Sequence, residues 1–321
     1  MEYHDVIIVG GGPAGSTCAW KLRQNSFDCI ILDKKPFPRP KVCAGWITPK
    51  VVHDLQLDPM NYPYSFITFN RIYCHFHGSK IVLRTSQHSI RRYEFDYWLL
   101  ERTGVPVYTH QVRKVIKKDS YYIIDNQYRC KYLIGAAGTY CPVYRTFFKK
   151  VDPRAKKLLI TGMEDEFTYN YKDANCYLWF FEKNLPGYAW YVPKGDGYLN
   201  VGIGGSMKKL KNRNTSIKYH WNYFIQQLEK HSLISNHHFS PRGYNYYLRQ
   251  NLRVYQLDKA YIIGDSAGLA TRDMGEGISP AVRSGILAAH SIIGGIPYWP
   301  KTISRYSLID MILSGIMEPN G

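Results

Sequence analysis

A short apolar strand that runs directly into spaced glycines leaves a chain few ways to fold. Residues 5–15 of this chain, Asp5-Val-Ile-Ile-Val-Gly10-Gly-Gly12-Pro13-Ala14-Gly15, have that form. The run 6–9 is apolar and mostly β-branched, which predicts a buried strand. The glycines at 10, 12 and 15 read G-x-G-x-x-G, and Ser16-Thr-Cys-Ala-Trp-Lys-Leu-Arg reads as the helix that follows. Gly10 permits the tight turn, Gly12 lets the backbone approach a pyrophosphate, and Gly15 lets helix and strand pack closely. The helix N-terminus then offers unpaired N–H groups and a positive dipole end to an anion. A second apolar run, 28–32, ends in Asp33, where a carboxylate meets a ribose hydroxyl in this arrangement. Strand, glycines, helix, strand and acid in that order predict a dinucleotide site.

Further along, Lys34-Lys-Pro-Phe-Pro-Arg39-Pro crowds three prolines into five residues. Such a stretch excludes a regular helix or central strand and predicts a loop leaving the nucleotide site. Thr48-Pro49 predicts a helix start running to Leu55. Two strands are expected at 67–74 and 80–84 about His77-Gly78-Ser79, then a helix over 92–102. Short strands are expected at 105–108, 112–117 and 121–124, and a buried one at 132–138. From about 155 the texture turns antiparallel and aromatic, with strands at 159–166, 174–182, 188–193 and 198–204 and a helix at 215–230. An α/β texture resumes at 260–265, and a long helix covers 277–293. The expected fold class is therefore α/β with an α+β insert. Residues 1–66, 88–150 and 255–300 form a discontinuous Rossmann-type nucleotide domain, and 67–87 and 151–254 an antiparallel β-sheet substrate domain. Residues 301–321 are a short C-terminal extension.

The formal net charge of +17 suits nucleic acid, an anionic membrane surface or an anionic small substrate. The basic residues are scattered, however (Lys34-Lys35, Lys117-Lys118, Lys208-Lys209), with no long basic helix and no nucleic-acid motif. A solvated surface is the simpler reading, and nucleic acid is not expected as a partner. No apolar stretch reaches the roughly 20 residues a membrane span needs, so contact with an anionic membrane would be peripheral. The seven cysteines form no C-x-x-C pair, and His237-His238 lacks a third ligand at metal spacing. No metal site is expected, and free thiols fit a reducing cytosol. The first strand starts within five residues of Met1, which leaves no room for a signal peptide. A cytoplasmic location is the expectation, with a membrane-peripheral one as the alternative.

Four signals in order, Gly10-x-Gly12-x-x-Gly15, Arg92-x-x-Phe95-Asp96, Gly135-Ala-Ala-Gly138 and Gly264-Asp265-Ser-Ala-Gly268, resemble the FAD-dependent superfamily typified by p-hydroxybenzoate hydroxylase. Within it, Phe37-Pro-Arg-x-Lys-x-Cys43-Ala-Gly and Tyr188-x-Trp190-x-Val-Pro193 resemble the geranylgeranyl reductase family. The resemblance implies FAD as cofactor. Gly10, Gly12, Pro13, Ala14, Gly15, Asp33, Lys34 and Arg39 would hold its adenine and pyrophosphate half, with Arg92 (or its neighbour Arg91) supplying charge and Val112 a backbone contact to the adenine. Asp265 would accept bonds from the ribityl hydroxyls. Gly275, Gly277 and Ile278 would open a helix aimed at the flavin pyrimidine edge, whose positive end favours negative charge on the reduced ring. Two departures stand out. Ala137 replaces the aspartate of the commoner third motif, and about thirty residues follow the last helix where relatives carry a longer helical end. The second implies a shallower site, or a cover borrowed from a partner or membrane.

Fold alone does not choose the chemistry. The family implies reduction of carbon–carbon double bonds in an isoprenoid-like or other apolar substrate. Hydroxylation of an aromatic substrate and halogenation are the alternatives, since Tyr188-Ala-Trp190-Tyr-Val-Pro193 also resembles a halogenase Trp-x-Trp-x-Ile-Pro. An FAD-binding module without turnover is the non-enzyme reading. The resemblance puts Cys43 and Ala44 on a loop approaching the isoalloxazine, where a thiol can relay a proton. Tyr188 and Trp190 alternate along one strand, so they share a face. With Tyr177, Trp179 and Phe181 they are expected to wall an apolar substrate pocket. There is no second dinucleotide fingerprint, so the electron donor stays open between NAD(P)H and a ferredoxin-like protein.

Overall fold

The computed structural model describes residues 1–308 together with 311 and 312, so most of the extension expected past 308 lies outside the described residues. The chain begins with β1 (Glu2–Val9), α1 (Pro13–Gln24), β2 (Cys29–Asp33), β3 (Trp46–Ile47), α2 (Pro49–Asp54), β4 (Ile67–Phe76) and β5 (Ser79–Ser89). Next come α3 (Arg92–Glu101), β6 (Val107–Thr109), β7 (Val115–Lys118), β8 (Tyr121–Ile124) and β9 (Tyr128–Gly135). The aromatic-rich part holds β10 (Leu159–Thr168), β11 (Cys176–Phe180), β12 (Gly187–Lys194), β13 (Tyr198–Ser206), α4 (Met207–Asn212), α5 (Ile217–Lys230) and β14 (Arg242–Tyr247). It is followed by β15 (Gln256–Leu257), β16 (Ala260–Ile262) and α6 (Ile278–Gly294). No helix among the described residues is long and apolar enough to cross a membrane.

The chain divides into two compact units. The first comprises Met1–Arg39, Tyr93–Ala155 and Tyr246–Ser307. Its sheet runs β15-β16-β9-β1-β2-β6, and every neighbour from β16 to β6 is parallel. Parallel strands covered on both faces read as continuous apolar runs. Val6, Ile7, Ile8, Ile30 and Ile31 accordingly have no exposed surface. The chain leaves β1 toward β2 on one side and reaches β9 on the other, so the carboxyl ends of β1 and β9 form the switch point where such sheets bind ligands.

The second unit comprises Pro40–Arg92 and Lys156–Asn245, with the described residues 308, 311 and 312. Its sheet order is β14-β10-β13-β12-β11-β4-β5-β3; the pairs from β10 to β11 and from β4 to β3 are antiparallel, and β4 runs parallel to β11. Amphipathic α5 buries Trp221, Phe224 and Leu228 against one face, joining Tyr191, Leu199, Val201 and Ile203 in a common core.

Several expectations shift. Residues 40–66 and 88–92 go with the second unit, because two-residue β3 pairs through Trp46 and Ile47 with Ser89 and His88. The strand expected from 112 begins at Val115, β5 continues five residues past Arg84, and α4 and β14 had no sequence signal strong enough to predict them.

Candidate functional site

In the first unit, Gly10 sits at the end of β1 with φ +114°, a conformation that disfavours any side chain, and a Cβ there would lie 2.5 Å from the Ala136 carbonyl. A Cβ on Gly15 would collide with the Gly10 carbonyl, whereas one on Gly12 would meet nothing within 4 Å. Helix α1 therefore starts tight on the turn, Pro13 occupies its first position, and the space over Gly12 is open. No side chain caps α1. Its first-turn N–H groups and dipole are left for an anion.

Asp33, at the end of β2, is buried; its carboxylate accepts from Gly11 N–H (2.9 Å), Lys35 N–H (3.1 Å) and Arg39 Nη2 (2.9 Å). Arg39 lies over the Phe37 ring, so its role is to hold Asp33 in place and balance its charge. Lys34 is exposed, and Val112 is buried in the core of this unit. Asp265 follows β16 on the Gly264–Ala267 turn, and its carboxylate has no hydrogen-bond partner among the described residues. A Cβ on Gly277 would lie 3.6 Å from its Oδ1. Gly275 adopts φ +62°, and Ile278 is buried at the start of α6.

An uncapped helix start under open space, a buried carboxylate beside it and an unpartnered one at the α6 entrance are groups that could hold a dinucleotide's phosphates and hydroxyls. Two residues were not foreseen. Arg154 donates to the carbonyls of Thr139 (2.6 Å) and Asp265 (3.1 Å) and lies over the Tyr144 ring, tying the turn after β9 to the Asp265 turn. Glu276 accepts from the Ser279 N–H at 2.6 Å, so a carboxylate already occupies part of the α6 N-terminus expected to face the flavin.

In the second unit, alternation puts Tyr188, Trp190 and Lys194 of β12, Asn200, Gly202 and Gly204 of β13, and Glu164 and Glu166 of β10 on one face. Trp190 pairs with Gly202 and lays its indole over it, which only a glycine at 202 permits. The indole N–H donates to Asn200 Oδ1 (2.8 Å), and Asn200 Nδ2 donates to Glu164 Oε2 (2.8 Å) and to the Cys43 carbonyl (3.4 Å). Burial pushes the Glu164 carboxyl up to about 7, against the Asn200 bond and the Cys43 backbone N–H, which favour its charged form.

Lys194 has no exposed surface and donates to the carbonyls of Ala44, Gly45 (3.2 Å) and Ile90 (3.0 Å). Burial lowers its pKa, while Glu166 and Glu164 oppose the shift. The Cys43 Sγ, half-buried, accepts from the Gly45 N–H at 3.4 Å. Cys43, Ala44 and Gly45 are thus held to the sheet by Asn200, Glu164 and Lys194. None of these three was singled out from sequence, although a polar Asn200 inside the apolar run 199–203 was a usable signal.

The expected aromatic wall does not form. Register pairs Tyr177 with Tyr191 and Trp179 with Ala189, so they lie on the opposite face from Tyr188 and Trp190. Trp179 packs on Phe224 of α5, and Phe181 is 47 % exposed. Trp190 itself is buried. Arg91, the rival to Arg92, bonds Glu166 Oε1 at 3.0 Å and lies over Tyr198, while Arg92 is buried at the start of α3. His237 stacks half-buried on Phe167. No group of side chains suited to a metal ion occurs among the described residues.

Comparison with known proteins adds the following. Residues 8–72 match the family model of the NAD(P)-binding Rossmann-like domain, and residues 160–238 that of the geranylgeranyl reductase catalytic domain. An uncharacterised protein of Methanosarcina barkeri is 29 % identical over 319 residues, covering 92 % of this chain and 76 % of that one. Digeranylgeranylglycerophospholipid reductase 1 of Methanopyrus kandleri is 27 % identical over 221 residues, covering 64 % of this chain and 58 % of the relative. The crystal structure of a geranylgeranyl bacteriochlorophyll reductase-like protein from Thermoplasma acidophilum superposes with a TM-score of 0.78 at 21 % identity, covering 98 % of this chain and 83 % of the other.

Proposed function

Because the chain belongs to the geranylgeranyl reductase family of FAD-dependent oxidoreductases, we propose that it reduces carbon–carbon double bonds of an isoprenoid-like or other apolar substrate, with Cys43 supplying the proton. The observation that carries this reading is the fixing of the Cys43–Gly45 backbone by Asn200, Glu164 and Lys194. A thiol meant to give a proton at one place needs a loop that does not wander, and three buried polar side chains are a costly way to hold an ordinary loop.

Bound, reduced FAD supplies two electrons as a hydride equivalent. The chain's own residues supply the rest. The Cys43 thiol gives a proton to the second carbon and, left as thiolate, regains one from solvent. Phe76, Phe180, Tyr188 and Trp190 follow one another at ring separations of 4.6, 5.4 and 5.8 Å and offer an apolar row on the Cys43 side of the sheet. Gly10–Gly15, Asp33 and Asp265 would hold the cofactor.

The test is anaerobic reduction of the flavin, followed by reoxidation with a polyprenyl alkene. Reoxidation without oxygen, slowed about 100-fold in Cys43→Ala with the flavin spectrum retained, supports the reading. Full-rate reoxidation in Cys43→Ala removes the thiol from the mechanism. A requirement for oxygen with an aromatic substrate or halide overturns reduction in favour of hydroxylation or halogenation. Whether NAD(P)H or a ferredoxin-like protein reduces the flavin is read in the same cuvette.

A further inference from the structure

The registers of the second unit bring several chain segments to one end of its sheet. Phe76 pairs with Ser79 and with Phe180, Gly187 with Gly205, and Ile160 with Ser206. The β4–β5 turn, the 181–186 turn, α4 and the short 3₁₀ turn Lys156–Leu158 therefore lie side by side along a single rim. Over 77–81, 156–158, 181–186 and 207–213 this rim carries eight lysines and arginines against one acid, Glu182. Lys156, Lys157, Lys183, Lys208, Lys209 and Lys211 are all exposed, and none has a carboxylate partner among the described residues.

The excess is therefore local, and it is not the scatter that composition suggests. Apolar side chains sit among the cations. Ile81 is 55 % exposed, and Phe181 is 47 % exposed in the left-handed region (φ +59°), where a bulky residue is disfavoured. Its position is fixed by Phe181 N–H on the Gly187 carbonyl (3.0 Å), Asn184 N–H on the Phe181 carbonyl (3.1 Å) and Arg213 on the Asn184 carbonyl. The turn thus holds an aromatic ring out into solvent beside a bank of lysines.

We propose that this rim docks the protein on an anionic lipid bilayer, with the lysines of α4 and the adjoining turns on the headgroups and Phe181 and Ile81 entering the interface. Charge complementarity favours a polyanionic surface, and the interspersed apolar tips favour a bilayer over a soluble acidic protein, which would offer them nothing to enter. A second copy of this chain is disfavoured, since it would set cations against cations. The inference goes beyond the proposed reaction and does not depend on which bond is reduced.

The experiment is co-sedimentation of the FAD-loaded full chain with vesicles of phosphatidylcholine alone and of phosphatidylcholine with roughly one third phosphatidylglycerol. Retention is expected on the anionic vesicles only, falling as salt is raised. Changing Lys183, Lys208, Lys209 and Lys211 together to Gln should weaken retention by about 100-fold, taking about 3- to 5-fold per charge. Phe181→Ser with Ile81→Ser should weaken it with salt sensitivity retained. Flavin absorbance and thermal melts confirm that both variants are folded. Equal retention of the lysine variant, no retention of the wild type, or binding of a soluble acidic protein in place of vesicles would each overturn the proposal.

Discussion

Gly202 and Gly204 allow the packing around Trp190 to be tested with an internal control. Both lie in β13, on the same face, two residues apart, and neither has a positive φ. Alanine in place of glycine in a strand gains about 0.5–1 kcal/mol from backbone entropy, and that gain is common to the two sites. Their surroundings differ. A Cβ on Gly204 would lie 3.7 Å from Trp190 Cζ3, ordinary contact. One on Gly202 would clash with the indole, 2.5 Å from Cε2, and lie 2.9 Å from Glu164 Cβ. The ring cannot slide freely, because its N–H is bonded to Asn200. Overpacking costs about 1–3 kcal/mol, and loss of the indole bond about 1 kcal/mol more. Gly202→Ala should therefore destabilise by about 2–3 kcal/mol while Gly204→Ala stabilises slightly, a gap of about 3 kcal/mol. In thermal unfolding followed by tryptophan fluorescence, that gap corresponds to roughly 6–12 °C. In a Trp190→Val background most of the cost of Gly202→Ala should disappear, leaving only the close contact with Glu164 Cβ. Equal melting temperatures for the two alanine variants would refute the packing argument.

Two more expectations follow from the buried charges of the same face. Glu164 holds its proton more tightly folded than unfolded, so stability should fall as pH climbs from the unfolded value near 4.3 through about 7. Glu164→Gln should remove this slope, gaining on the order of 3 kcal/mol over wild type at pH 8 and little at pH 4. Urea midpoints across that range check it, and parallel curves would contradict it; burial sets the direction of the shift, with Glu166 adding to it and Asn200, the Cys43 N–H and Lys194 opposing it. Lys194→Met leaves the carbonyls of Ala44 and Ile90 without their donor and leaves that of Gly45 with the Ile90 N–H alone (2.8 Å). Each orphaned acceptor costs about 1–3 kcal/mol, partly offset by sparing a buried ammonium, so a net loss of about 2 kcal/mol is expected. Faster amide exchange confined to 43–46 is the accompanying sign, and unchanged exchange there would show that Lys194 does not hold the loop.

What could be read from sequence was what is decided locally. The turn at Gly10–Gly15 and the acid at Asp33 depend on neighbours in sequence, and their structure follows the reading closely. Trp46-Ile47 was invisible as a strand, because two residues carry no periodicity and their state is set by Ser89 and His88 some forty residues on. The Glu164–Asn200–Trp190 chain was equally hidden, since each member looks like an unremarkable strand residue until three strands align. The aromatic wall failed for a simpler reason. Alternation was applied within β12 but not across to β11, where register sends Tyr177 and Trp179 to the α5 side. Net charge, too, said little until the turns of four segments were seen to share one rim.

The parallel sheet of the first unit closes late. Strand β16 lies against β9, with Ala260 beside Leu133, and all of β10 to β13 intervenes in the chain between them. During synthesis, β1, β2, β6 and β9 are available to pair long before β16 exists. Until it arrives, β9 presents its far edge with unpaired N–H and C=O groups along 133–135. The Asp265 turn is part of the same late arrival. The nucleotide cradle is therefore begun by the first thirty-three residues and completed only after the inserted antiparallel sheet has left the ribosome, which makes the order of assembly part of how this chain comes to hold its cofactor.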